Sequence, residues 1–78
     1  INTLTMKQRI LELLSEALPA VDFESDFLFS ELDSLGIVTI LMILSGEYDI
    51  ELGAADVAPR NFRTLDSIVA MVQSKLNK

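Results

Sequence analysis

Apolar positions in this chain recur at helical spacing in separate blocks, with polar or irregular stretches between them. Thr5 and Gln8 read as a capping box, and Ile10, Leu11, Leu14, Ala17 and Leu18 then keep one face up to Pro19. This predicts a first helix from about Met6 to Leu18. From Pro19 to Leu32 the period is lost, and Asp22, Glu24 and Asp26 mix with Phe23, Phe27, Leu28 and Phe29. That is the pattern of a long loop pinned to a core by aromatics. Asp33 is a good N-cap; behind it Leu35, Val38, Leu41, Met42 and Ser45 keep a helical face that Ile37, Ile40, Ile43 and Leu44 widen. A run of some fifteen residues after a cap is long for a strand and ordinary for a helix, so the second helix is placed over Ser34 to about Tyr48.

The segment from Asp49 to Gly53 breaks the pattern. Ala54 to Val57 then suit one short turn of helix that Pro59 ends, because proline cannot continue the ladder. Thr64 caps a last helix in which Leu65, Ile68, Val69, Val72 and Leu76 fall on one face. The expected fold is all-α: a four-helix bundle with a long loop between helices one and two and a short third helix.

Composition supports this. Half of the 78 residues are hydrophobic, yet only four Phe and one Tyr are aromatic, which suits interdigitated helices better than a sandwich of strands. Residues 1–78 suffice for one domain, near the lower size at which a core alone offsets chain entropy. Met6 is a natural start, so within this single domain Ile1 to Thr5 read as a disordered or extraneous beginning.

The chain has no cysteine and no histidine, which removes disulfides, thiolate metal sites, imidazole ligands and the usual proton shuttle. A net charge of −6 disfavours nucleic acid and anionic lipid. The longest apolar stretch, Ile37 to Leu44 interrupted by Thr39, is too short to cross a bilayer, and no leader opens the chain. A soluble, cytoplasmic monomer is expected. Asp22, Glu24 and Asp26 alternate like the opening of a calcium loop, but Phe27 stands where the sharp turn wants glycine, and Asp33 where a bidentate Glu is usual. These acids read as a solvated loop.

Candidate chemistry centres on Asp33-Ser34-Leu35, where the long loop hands over to a helix. Ser34 falls at the first helical position with its hydroxyl toward solvent. A phosphodiester there meets unpaired N–H groups and the positive end of the helix dipole.

The tripeptide in this setting resembles the attachment motif of the acyl and peptidyl carrier family. The resemblance extends over DSLGIVTILMILSGEYDIEL, where Glu47, Tyr48, Asp49 and Ile50 match a frequent helix ending, and to Thr64-Leu65-Asp66-Ser67-Ile68, which resembles the start of the family's fourth helix. It implies a covalent 4′-phosphopantetheine arm on Ser34, flanked by Asp33 and Leu35, whose thiol carries cargo as a thioester. It also implies a carrier rather than an enzyme. The arm is installed by a phosphopantetheinyl transferase, loaded by an acyl- or aminoacyl-ligase, and presented to downstream transferases or synthases.

Fatty-acid carriers typically line the second helix with carboxylates; here Gly36, Thr39, Ser45 and Gly46 stand at such positions. Partner contacts are therefore expected from Gly36, Ile37, Met42, Glu47 and Asp56. Ile37, Met42 and Ile43 equally suit a widened core stripe. A Gly after the motif and the stretch Arg60-Asn61-Phe62-Arg63-Thr64 resemble D-alanyl carrier proteins. A specialised lipid, polyketide, peptide or D-alanyl pathway is favoured over general fatty-acid biosynthesis. The alternative is a helical adaptor that binds a partner through helix two without a prosthetic group.

Overall fold

The computed structural model describes residues 2–77. They form three α-helices, α1 (Thr3–Ala17), α2 (Ser34–Tyr48) and α3 (Leu65–Leu76), joined by segments that contain single turns of 3₁₀ helix. The fold is all-α as expected, but the short third helix is replaced by two 3₁₀ turns, Ala54–Asp56 and Pro59–Asn61. Proline at 59 lacks an N–H and biases Ala58 away from α geometry, so the first turn cannot grow. Asp56 closes it by accepting the Gly53 N–H at 3.0 Å. The connection between α1 and α2 is also partly ordered by a 3₁₀ turn, Leu28–Glu31.

Helix α1 begins earlier than the Thr5–Gln8 pattern predicts. Asn2 is the N-cap, its side chain accepting the Leu4 N–H at 2.7 Å. The Thr3 hydroxyl accepts from the Gln73 amide of α3 at 2.7 Å. Residues 2–5 thus take part in the ordered start of α1, and Ile1 lies outside the described residues. At α2 the limits agree with the pattern, because both ends carry strong local signals. Asp33 caps the start, and Asp49 ends it in the left-handed region (φ 52°, ψ 52°), its N–H donating to Ser45. Short polar residues tolerate that conformation better than branched ones.

One core joins the elements. Met6, Ile10 and Leu14 of α1 meet Ile37, Ile40 and Leu44 of α2, and Leu65, Ile68, Val69 and Val72 of α3. Phe23, Leu28 and Phe62 close it from the connections. Burying each such side chain stabilises by about 1.5–3 kcal/mol. The phase of α2 differs from the expected one: Leu35, Val38 and Met42 point outward, while the widening residues Ile37, Ile40 and Leu44 form the inner face. Both sides of this helix are apolar, so periodicity alone does not say which is buried.

Exposed ion pairs clamp the helices. Lys7 meets Asp66 at 2.9 Å across α1 and α3, and Arg9 meets Glu47 at 3.1 Å across α1 and α2. Such pairs contribute about 0–1 kcal/mol each.

Candidate functional site

The start of α2 is built by its cap. The Asp33 carboxylate accepts the Gly36 N–H at 2.7 Å, and the Asp33 carbonyl accepts the Ile37 N–H at 3.0 Å. Among the described residues, the N–H groups of Ser34 and Leu35 have no partner within the chain. Ser34 is exposed, and so is Leu35. An accessible hydroxyl thus stands beside two free backbone donors at the positive end of a fifteen-residue helix. This donor set suits the oxygens of a phosphodiester attached there. The Asp33 charge opposes an anion, but its carboxylate is turned onto Gly36.

Gly36 is shaped by the same cap. A methyl group at this position would lie 3.2 Å from the Asp33 carboxylate oxygen and within 3.8 Å of side-chain carbons of Leu32 and Leu18. The glycine is buried under the cap. A shallow cleft of about 300 Å³ lies alongside, between the end of α1 and the Leu28–Glu31 turn. Leu18, Val21, Ser30 and Leu32 line it, with Asp33 and Gly36 on the α2 side.

The other expected contacts divide. Met42 is 68% exposed and shares an outward stripe with Leu35 (74%) and Val38 (50%), at i, i+3 and i+7. Ile37 is only 9% exposed and packs in the core. Glu47 is occupied by Arg9, with a second contact at 3.4 Å, and its hydrogen bond and charge raise the Arg9 pKa. The Asp56 carboxylate accepts from Gly53 and pairs with Lys75 at 3.0 Å. Both acids are paired with bases distant in sequence, which local pattern does not reveal. Val38 was legible as an apolar position but not as a surface one.

The acidic loop is organised in the same local way. Asp22 accepts the Glu24 N–H at 3.0 Å, and Glu31 accepts the Asp22 N–H at 3.1 Å. Among the described residues, no cluster of three or more metal-ligating side chains forms.

A model of the family described as phosphopantetheine attachment site matches residues 5–72. The chain belongs to that family. No curated protein and no solved structure matches it. Members of the phosphopantetheine attachment family bear 4′-phosphopantetheine covalently and act as non-catalytic carriers for partner enzymes, among them transferases, synthases and ligases. Among the described residues, no helix is long and apolar enough to cross a membrane.

Proposed function

We propose that Ser34 is the attachment residue, and that this cytoplasmic, monomeric carrier holds an acyl or aminoacyl cargo there and delivers it to partner enzymes. The observation that carries the reading is the exposed Ser34 hydroxyl at the first position of α2, beside the free N–H groups of Ser34 and Leu35 and inside the matched span. When bound, the arm supplies a thiol that takes the cargo as a thioester, chemistry that a chain without cysteine lacks. The protein's own residues position and present: Asp33 fixes the helix start, the free donors face the phosphate, and Leu35, Val38 and Met42 offer an apolar docking face.

That docking face favours a specialised lipid, polyketide, peptide or D-alanyl pathway over general fatty-acid synthesis. Its exposed stripe is apolar, and the acid at its far end, Glu47, is held by Arg9. A partner that recognises it needs a complementary apolar patch more than a row of bases.

The test is intact mass after incubation with coenzyme A and a broad-specificity phosphopantetheinyl transferase. The Ser34 oxygen forms the new bond to phosphorus, adenosine 3′,5′-bisphosphate leaves, and the serine proton passes to the transferase. Wild type is expected to gain one arm and Ser34→Ala none. No gain in wild type would point to the adaptor reading, and a gain in the variant would refute Ser34. The same assay tests the docking face: Leu35→Glu or Met42→Glu lowers kcat/KM for arm transfer by about tenfold or more, as loss of an apolar anchor costing more than ~1.4 kcal/mol requires.

A further inference from the structure

The connection leading into α2 carries two phenylalanines that the core does not use. Phe23 and Leu28 are buried, and the Leu28 N–H donates to the Arg63 carbonyl at 3.0 Å, which fixes the loop against the segment ahead of α3. Phe27, by contrast, is 76% exposed, and Phe29 is also exposed. Together with Pro59 they line a groove of about 390 Å³, with Ser30 at one side and Asp26 and Arg63 at the rim. Two exposed rings and a proline side by side give the groove a largely apolar lining. The Arg63 guanidinium takes part in no ion pair or side-chain hydrogen bond among the described residues, so its donors are available to a ligand.

Position along the chain identifies the occupant. Ser30 lines both this groove and the cleft beside the start of α2, so the two depressions meet at one residue. Ser30 thus borders the groove on the side toward Asp33 and Gly36. Ser30 and Ser34 are four residues apart, which limits their Cα separation to about 14 Å. An arm made of a phosphate and two amide units is about as long as five extended residues, ~17 Å, and spans that distance. Ile40, Leu44, Ile68 and Val72 have no exposure, so the core between the helices is closed in this structure while the groove is open.

We propose that the Phe27–Phe29–Pro59 groove is a resting site for the acyl group carried on Ser34, selecting an aromatic or compact apolar cargo, with Arg63 donating to its carbonyl. The inference rests on the carrier reading and adds the cargo class. Tethering supplies an effective concentration of the order of millimolar, so a groove with only millimolar affinity is about half filled. The polar arm lies over Ser30 and Glu31, while the apolar cargo covers the two rings.

Ser34 is loaded by the transferase from phenylacetyl-coenzyme A or acetyl-coenzyme A, in wild type and Phe27→Ser, and intact mass confirms each product. Relative to the acetyl form, the phenylacetyl form is expected to shift the backbone amide resonances of residues 26–30 and Arg63. Phe27→Ser should abolish those shifts while leaving the rest of the spectrum in place. Cleavage of the phenylacetyl thioester by hydroxylamine should be roughly twofold slower in wild type than in Phe27→Ser, as half-occupancy requires. Loaded protein whose groove resonances do not move would overturn the proposal. So would shifts confined to Ile40, Leu44 and Val72, which place the cargo in the core, or to Leu35, Val38 and Met42. Failure to load Ser34 is a separate result, which removes the carrier reading itself.

Discussion

At the scale of single residues, Asp33 sets the start of α2. Its carboxylate satisfies the Gly36 N–H and leaves those of Ser34 and Leu35 open. Asp33→Ala should cost about 1 kcal/mol, the usual worth of a cap, and lower Tm by some 4–8 °C in a domain of this size. Gly36→Ala sets two effects against each other. Helix propensity gains about 1 kcal/mol, while the new methyl, 3.2 Å from the cap oxygen, loosens a bond of similar worth. A net change under about 0.5 kcal/mol is expected by urea denaturation, whereas Gly36→Val, pressed against Leu32 and Leu18, should lose about 1–3 kcal/mol. Tyr48 supplies the pH dependence. Burial of its ring, then the Glu47 charge, raises its pKa. The contribution is fully present below the ordinary tyrosine pKa of about 10 and is lost as pH rises through the higher folded value. Phenolate absorbance should therefore titrate above free tyrosine, and Tyr48→Phe should flatten the alkaline fall in stability.

The elements show what the order of residues makes legible and what it does not. The limits of α2 follow from end signals carried by the chain itself, Asp33 at the start and the Tyr48–Asp49 break at the end. The last helix is similarly plain, since Thr64 caps it through the Ser67 N–H and its apolar residues lie on one side. Which side of α2 faces inward is a different matter: it depends on where α1 and α3 lie, and Leu35, Val38 and Met42 are as apolar as Ile37, Ile40 and Leu44. The placement of Ser34 was legible because a cap defines it. The occupation of Glu47 by Arg9, of Asp56 by Lys75, and the union of Phe27 with Pro59 were not, because contacts between distant segments create them. The phase of α2 has a direct check by thermal or urea unfolding. Ile40→Ala leaves a cavity among α1, α2 and α3 and should cost about 2–5 kcal/mol, while Met42→Ala on the outer face should change stability by less than about 0.5 kcal/mol.

Charge and size together govern the molecule as a whole. At 0.05–0.15 kcal/mol per residue, 78 residues give a stability of about 4–12 kcal/mol, so modest electrostatic terms matter. Two such terms respond oppositely to salt. The pairs of Lys7, Arg9 and Lys75 attract across the helices, but the first two are exposed and worth little in water. Against them stand twelve acidic residues and six basic ones, with Asp22, Glu24, Asp26, Glu31 and Asp33 crowded into the connection that leads to Ser34. Their mutual repulsion acts over the whole surface and favours the expanded chain. Raising ionic strength to 0.5 M shortens the screening length to well below the ~10 Å found at 0.1 M and relaxes more repulsion than it removes attraction. Stability should therefore rise with sodium chloride between 0.05 and 0.5 M, by up to about 1 kcal/mol, seen as an increase of several degrees in Tm. A fall in Tm over that range would mean that the clamps outweigh the acidic connection. Asp26→Asn, which removes one charge from an exposed position beside Phe27, should reproduce part of the gain at low salt and shrink the salt dependence in proportion.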